Sequence, residues 1–499
     1  GLLLSFSSRF GDVTINPEFV FFIFLPPLLY EAAWQTSWKE FWKWRRVITS
    51  FAFPIVIITS CVIAYVSQAL IPGFTLALGF LLGGIISPPD AVSATTIMRQ
   101  VTAPKSLVSI VEGESLLNDA SSLIVFRFAM AAVVTGQFQL GKAATSFVLV
   151  IVMGALIGLL IAVLFDAIYR WLPTTTSIEI ILSLVIPYFM YFAAEHFHFS
   201  GVLAVVCGGL FLSNRRQKLL NYRSRIESVN VWTNIVFVLN GLIFLLIGLQ
   251  LPSIVRQLGD ISLPHAIGYG LAISLTLIIV RLLCTFGAAL FTRVVGRYIK
   301  VADPNPGWKA PVIFGWAGMR GVVSLAAALS IPLLLRVGQP FPYRNLILFI
   351  TFIVILVTLV FQGLTLPLLI RKLKMEDKVP IPADRQEIII QIKLAKASLA
   401  YLDEKEREKP VRNEHLENLR TRLQLDLAFF QREMNETVEE DQNTRQDYLQ
   451  TYLLMLERQR ALLNDLNSRE EFDEELIRKY LSLTDLEEFK VRDKLLADG

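Results

Sequence analysis

The sequence predicts an all-α polytopic membrane protein that ends in a polar helical tail. Three observations predict it. Of 499 residues, 54% are hydrophobic and 18% charged, a balance outside the range of soluble domains. Apolar runs of roughly 20 residues, the length that crosses a bilayer, recur up to residue 371. The charge is also unevenly divided. Residues 1–374 carry 27 Lys/Arg and 14 Asp/Glu, whereas residues 375–499 carry 20 and 29. The chain is therefore read as a membrane portion, 1–374, and an acidic helical appendage, 375–499.

The N-terminus, Gly1-Leu-Leu-Leu-Ser-Phe6, reads as the end of a hydrophobic helix without an initiator Met, so the front is expected to be truncated. Eleven candidate spans follow: 17–35, 47–71, 74–98, 106–134, 143–171, 177–197, 199–213, 229–251, 263–293, 310–335 and 344–371. The run 199–213 is short and is expected to be tilted or joined differently to its neighbour. One set of alternate loops holds Lys39, Lys43, Arg45, Arg46, Arg99, Lys105, Arg170, Arg215, Arg216, Lys218, Arg223, Arg225, Arg297, Lys300 and Lys309. The other holds Arg9, Lys142, Arg256, Arg336 and Arg344. The positive-inside rule makes the first set cytoplasmic. The last span then exits towards Arg371, Lys372 and Lys374, which places the tail in the cytoplasm. The net basic charge thus serves topology and is no nucleic-acid signal. Cys61, Cys207 and Cys284 lie far apart in apolar runs and read as packing residues.

Two spans are visibly broken. Ile86-Ser87-Pro88-Pro89-Asp90 interrupts the third, and Gly315-Trp-Ala-Gly318-Met-Arg320-Gly321 interrupts the tenth. Consecutive prolines remove backbone donors, and glycines loosen a helix. Unwound backbone at membrane depth survives inside protein or against a watery cavity. Paired interrupted helices point to a transporter's binding site. The competing reading is a proline kink in each.

The fourth span carries Glu112-Gly-Glu114-Ser115-Leu-Leu-Asn118-Asp119. Ionisable groups at this depth are costly and rarely lack a role. Ser115 and Asp119 share one helix face, and Glu114 and Asn118 form the adjacent pair. Carboxylate, hydroxyl and amide oxygens are hard ligands suited to Na⁺ or Li⁺. Asp119 is the natural ion ligand. Asn118 is placed either to ligate or to brace the carbonyls freed by the third-span break. Glu112, two turns towards the cytoplasm, fits a helix-start role. Asp90 is placed to complete an ion shell with Asp119 or to cap the second half-helix, roles that are compatible. Arg320 and Arg281 lie deep in apolar runs and need partners, with Glu114 and Glu31 as candidates. Both arginines are expected to hold the broken helices together. Arg127 is left undecided, and Glu195, His196 and His198 are expected at the outer surface.

Three further motifs complete an ordered set. Phe24-Leu-Pro26-Pro27-Leu-Leu-Tyr30-Glu31-Ala-Ala precedes the Ser87-to-Asp90 break and the Glu112-to-Asp119 octapeptide. Asn240-Gly-Leu-Ile-Phe-Leu-Leu-Ile-Gly248-Leu-Gln250-Leu and Gly315-to-Ser324 follow. Over roughly residues 1–373 the chain resembles the bacterial branch of the monovalent cation:proton antiporter-1 family, the sodium/proton exchangers. The resemblance implies a thirteen-helix inverted-repeat transporter fold, two crossing discontinuous helices (the third and tenth spans) and a homodimer. It also implies about one and a half helices before Gly1. By position it makes Asp119 the ion- and proton-binding carboxylate, with Asp90, Ser115 and Glu114 helping to coordinate Na⁺ and Asn118 completing an Asn-Asp signature. Arg320 becomes the stabilising cation. The family's Thr-Asp-Pro is here Pro89-Asp90-Ala91, so a threonine hydroxyl is missing at the break.

The expected activity is secondary antiport of a monovalent cation, foremost Na⁺, against H⁺ in a bacterial inner membrane, with no cofactor. With Asn at 118, the signature supplies one titrating charge, which predicts electroneutral exchange. An intramembrane aspartyl protease would need glycine-framed aspartates, and no Gly-x-Gly-Asp occurs. A cation channel, the remaining alternative, would pass current without proton counterflow. In the tail, Ile388, Ile392, Ala395, Leu399 and Leu402 recur at helical spacing, as do Leu449, Tyr452, Leu456, Leu463 and Leu466. These predict amphipathic helices with a turn at Lys409-Pro410.

Overall fold

A computed structural model describes residues 17–498, apart from 102, 137–139, 173, 257, 259–260, 297, 299–302, 304–306, 336–338, 376–382, 409–413, 436–437 and 468–473. The expected helix end at Gly1–Phe6, the loop cations Arg9, Arg297, Lys300 and Arg336, and the Lys409-Pro410 turn lie outside the described residues. The chain forms two compact units, Gly1–Asp377 and Lys378–Gly499.

The first unit is helical throughout its regular, described elements. In order they are α1 (Pro17–Gln35), α2 (Trp38–Leu70), α3 (Leu76–Ile86), α4 (Ala91–Gln100) and α5 (Lys105–Thr135). Then come α6 (Leu140–Trp171), α7 (Thr176–His196), α8 (Gly201–Leu219), α9 (Tyr222–Arg256) and α10 (Leu263–Val295). The last are α11 (Lys309–Trp316), α12 (Val322–Leu329) and α13 (Arg344–Leu373). Each of the eleven expected spans coincides with a helix, or with a pair of half-helices at the two breaks. Among the described residues, eight stretches are long and apolar enough on their own to cross a membrane.

Two expectations change. The second span begins at Trp38 rather than near 47, because Trp38–Ser50 is an amphipathic helix continuous with the apolar part. A π-helical turn at Phe51–Ile55 joins the two, at Pro54, where the missing N–H disrupts regular α-helical bonding. The short seventh span is α8, a full 19-residue helix with most of its residues buried. Its polar C-terminal third, from Ser213 to Lys218, hid its length. Ser200 starts it by accepting from the Leu203 N–H (3.2 Å), an N-cap. Gly158 of α6 lies so close to α8 that a Cβ there would stand 2.0 Å from the Ala204 carbonyl oxygen. Backbones approach this closely in membranes through small residues.

α5 runs through the interior, with buried residues from Leu107 to Ala132. It ends where Gly136 takes a left-handed φ of 69° and its N–H reaches the Ala132 carbonyl. α3 and α4 pack along it, and α2 packs on α3 and α5.

The second unit is two helical hairpins. α14 (Ala383–Glu408) packs on α15 (Glu414–Asn435), and α16 (Val438–Asn467) on α17 (Glu474–Asp498). Ile388, Ile392 and Ala395 are buried on α14, and Leu449 and Leu456 are buried on α16 with Val491 of α17, as the periodicity predicts. Arg420 bridges Asp403 and Glu406 across the first hairpin, both at 2.7 Å. Arg460 does the same to Asp485 and Glu488 across the second.

Candidate functional site

The first break follows from its sequence. α3 stops at Ile86 because Pro88 and Pro89 have no N–H to continue it. α4 restarts at Ala91 with Asp90 as its N-cap. The Asp90 Oδ1 accepts from the Val92 N–H (3.0 Å), and Oδ2 accepts from the Ser93 hydroxyl (3.1 Å). The second break is different. α11 ends at Trp316, and α12 restarts after Gly321 with no side-chain cap.

The two breaks cross in contact. The Asp90 N–H donates to the Met319 carbonyl at 2.7 Å. Arg320, 1% exposed, reaches back across the crossing. Its Nε donates to the Ile86 carbonyl (2.8 Å) and its Nη2 to the Ser87 carbonyl (3.2 Å). Its Nη1 bonds the Gly318 carbonyl. A guanidinium thus sits on the carbonyl end of α3, where the helix dipole favours a cation. The Arg320 N–H is taken by the Thr358 hydroxyl (3.1 Å), in a π-helical turn of α13 at Thr358–Gln362. Gly321 is required by proximity: a Cβ there would lie 2.1 Å from Asp90 Oδ2.

α5 forms the wall beside this crossing. Ser115 Oγ accepts from the Ala91 N–H (3.2 Å), and Asn118 Nδ2 donates to the Pro89 carbonyl (3.1 Å). The brace expected of Asn118 is therefore present. Its Oδ1 is buried with no partner among the described residues. One residue on, Asp119 is 6% exposed. Among the described residues its carboxylate has no hydrogen bond or ion pair. Asp90 lies within electrostatic reach of it.

Glu114 departs from the expected ligand set. Arg281 of α10 grips it bidentately, Nη1 to Oε1 and Nη2 to Oε2, both at 2.8 Å. Both side chains are almost wholly buried. With both oxygens occupied, Glu114 is part of a brace. Arg281 Nε also donates to the Phe314 carbonyl (3.2 Å), tying α5, α10 and α11 together. Of the two partners expected for the arginines, Glu114 is taken by Arg281 and Glu31 is taken by neither. Glu31 accepts instead from the Gln35 side chain one turn on.

Glu112 does not start its helix, because α5 begins at Lys105. It pairs with Arg99 of α4 at 2.6 Å. Arg127 pairs with Glu195, which also accepts from the Gly201 N–H (3.0 Å). His196 is exposed, as expected, and His198 has a φ of 62°. Three further contacts escaped sequence reasoning: Thr358 under Arg320, Ser121 Oγ donating to the Ala52 carbonyl (2.5 Å), and Ser60 Oγ donating to Ser87 Oγ (3.1 Å). Small hydroxyl residues are too common in membrane helices to mark themselves.

Two broken helices that cross beside a buried carboxylate without a partner among the described residues form the arrangement from which secondary transporters build binding sites. A family model described as "Sodium/hydrogen exchanger, transmembrane" matches residues 1–372, and the chain belongs to that family. The "Sodium, potassium, lithium and rubidium/H(+) antiporter" of Bacillus subtilis is 37% identical over 71% of the chain and 54% of its own length. Its Bacillus pumilus counterpart is 36% identical over 74% of the chain and 56% of its own length. The chain thus spans about half the length of these two relatives. An "Uncharacterized Na(+)/H(+) exchanger" of Mycobacterium bovis is 30% identical over 99% of the chain and 90% of itself. Among solved structures, the sodium proton antiporter MjNhaP1 from Methanocaldococcus jannaschii matches with a TM-score of 0.55 at 18% identity, over 71% of this chain and 85% of that one. That likeness shows the shared helical transporter fold.

Proposed function

We propose that this protein exchanges a monovalent cation, foremost Na⁺, for H⁺ by alternating access, with both ions competing for Asp119. The observation that carries the proposal is the Asp119 carboxylate, buried beside the crossing without a protein partner. A bare carboxylate is costly at membrane depth. The site is therefore neutralised before it changes sides, by a proton or by a cation, and this makes exchange obligatory. The names of the Bacillus relatives, which include sodium, potassium, lithium and rubidium, support a cation of this class.

In this reading Asp119 is the charged ligand. Asn118 Oδ1, Ser115 Oγ and Asp90 supply further oxygens of the hard type that Na⁺ takes. Asp90 serves mainly to cap α4. Asn118 and Arg320 hold the first break open through its carbonyls, and Pro88 and Pro89 keep it from closing into a helix. Arg281 and Glu114 neutralise each other and add no net charge to the site. One titrating carboxylate per cation then makes the exchange electroneutral. We further assign the protein to a bacterial inner membrane, as a homodimer with its tail in the cytoplasm, on loop charge and family resemblance.

The test is cation-induced dequenching of a pH-sensitive dye in inverted vesicles, with Na⁺, Li⁺ and K⁺ added separately. The wild type is expected to respond and Asp119→Asn to remain at the background level. Equal responses from the two would remove Asp119 from the mechanism. Flux in proteoliposomes that varies with an imposed membrane potential would overturn the electroneutral stoichiometry.

A further inference from the structure

We infer that the first turns of α2 form a docking ridge for anionic phospholipid headgroups, and that its occupancy tunes exchange. The inference rests on the exchanger reading for its functional half alone. α2 is 33 residues long, and at ~1.5 Å per residue it outreaches a hydrocarbon core of ~30 Å. The excess lies at Trp38–Val47, which carries Lys39, Lys43, Arg45 and Arg46. Two stripes run along this stretch. Trp38, Trp42 and Arg45 recur at i, i+4 and i+7 and so share a face. The Trp38 and Trp42 rings stack with centroids 5.6 Å apart, and the Arg45 guanidinium lies 4.6 Å from the Trp42 ring centre. Lys39, Lys43 and Arg46 form the adjacent stripe at the same spacing. Trp38, Lys39, Trp42, Lys43 and Arg46 are all exposed.

The opposite face is occupied. Phe41 and Ile48 crowd Gly113 of α5, where a Cβ would stand 2.5 Å from Ile48 Cδ1 and 3.3 Å from Phe41 Cδ2. Glu40, the acid on this stretch, is turned to the Trp44 indole N–H (3.2 Å) and Lys43 (3.5 Å). The outward face is therefore an aromatic rail beside a cationic rail. That is the pattern of helices lying at the headgroup level, with rings at the acyl boundary and cations at phosphate. Charge complementarity selects an anionic lipid over a zwitterionic one.

The ridge is also connected to the site. Its inner face packs on Gly113, beside Glu114. Beyond it, the π-helical turn of α2 offers the Ala52 carbonyl to Ser121, two residues after Asp119. A lipid that pulls on Trp38–Arg46 therefore acts on the helix that carries the ion ligand.

The experiment reconstitutes the full chain in phosphatidylcholine vesicles with increasing fractions of phosphatidylglycerol carrying a dansyl acceptor. Energy transfer from tryptophan and dye-reported exchange are both measured. Each cation at an anionic surface contributes about fivefold in affinity. The Lys39→Gln/Lys43→Gln/Arg46→Gln variant is expected to move the half-saturating anionic fraction upward several-fold, while keeping exchange in pure phosphatidylcholine. Lys39→Gln alone, at a side chain without packing duties, is expected to give a smaller shift in the same direction. Trp38→Leu/Trp42→Leu is expected to lower the transfer signal beyond the loss of two donors. Midpoints unchanged in both charge variants would overturn the ridge. A shifted midpoint with no change in exchange would overturn the tuning and leave the docking. Shifted midpoints in a protein with no exchange in any lipid would instead count against the exchanger reading.

Discussion

The two breaks solve one problem by opposite means. At the first, prolines end α3 and an acid, Asp90, caps the restart of α4 from within the break. At the second, glycines loosen the chain and α12 restarts with no side-chain cap. That break is held from outside, by Arg281 on the Phe314 carbonyl and Thr358 on the Arg320 N–H. Arg320 in turn keeps the Gly318 carbonyl of its own break and reaches across to satisfy the carbonyls of the other. The first break thus carries its own stop and cap and is tied across the crossing by Asn118 and Arg320, whereas the second has no cap of its own and depends on tertiary contact alone. Rigidity at Asp90 fixes the oxygens beside Asp119.

The largest effect is expected from Arg320→Ala, which strips the Ile86, Ser87 and Gly318 carbonyls of their cation at once. Each buried acceptor left unsatisfied costs about 1–3 kcal/mol. Thermal unfolding in detergent is expected to show a collapse in stability, with partial recovery in Arg320→Lys. A small loss there would show that the first break stands on its own.

Gly321→Ala probes the closest point of the crossing. Its new Cβ would overlap Asp90 Oδ2 at 2.1 Å, and overpacking costs about 1–3 kcal/mol. Combined with Asp90→Gly, the losses are expected to be less than additive, because the second change removes the clash. Strict additivity in a double-mutant cycle would deny the contact.

Asp90→Ala removes the cap of α4 and is expected to cost about 1 kcal/mol, whereas Asp90→Asn retains the cap and the stability. Measured together with cation response, Asp90→Asn separates capping from ligation. A stable variant with weakened cation response assigns Asp90 to the ion.

The smallest effect lies in the tail, where ion pairs are solvent-exposed. Hydrogen bonds from Arg460 and Arg492 hold the Glu488 carboxyl below its ordinary value of 4.5. A depressed folded value stabilises the hairpin above the unfolded value, and that stability fades as pH falls through the folded one. The protection of α16 and α17 amides in the whole chain, taken relative to the intrinsic exchange rate at each pH, is expected to fall below about pH 4.5. Arg460→Ala is expected to flatten that dependence. Surface pairs of this kind contribute little, so a large change would place the pair in a less solvated setting.

Much of this was legible in the sequence. Pro88-Pro89 and the glycines of 315–321 act on their own backbone, so both breaks were visible without a fold. Asp119 was visible because a carboxylate in an apolar run has few reasons to be there. Glu114 was named both as a coordinating group and as a candidate partner of the buried arginines, and sequence spacing could not choose between the roles because Arg281 is 167 residues away. Glu112 was misjudged because α5 begins seven residues before it, after Pro104. The full length of α2 was missed because its first turns are amphipathic and carry charges that a search for apolar runs rejects.

The sequence by itself thus determined which segments are apolar helices, where two of them unwind and which carboxylate is out of place. These are consequences of short-range chemistry: apolar length, missing N–H groups and the cost of a buried charge. The tertiary structure alone decided which polar groups are used up and which remain available. Asp90, Glu114 and Asp119 are the same kind of group within thirty positions, and their neighbours make one a cap, one half of a buried ion pair and one an unpartnered acid. At the crossing, partnering is settled across as many as 234 residues along the chain, where sequence spacing carries no information.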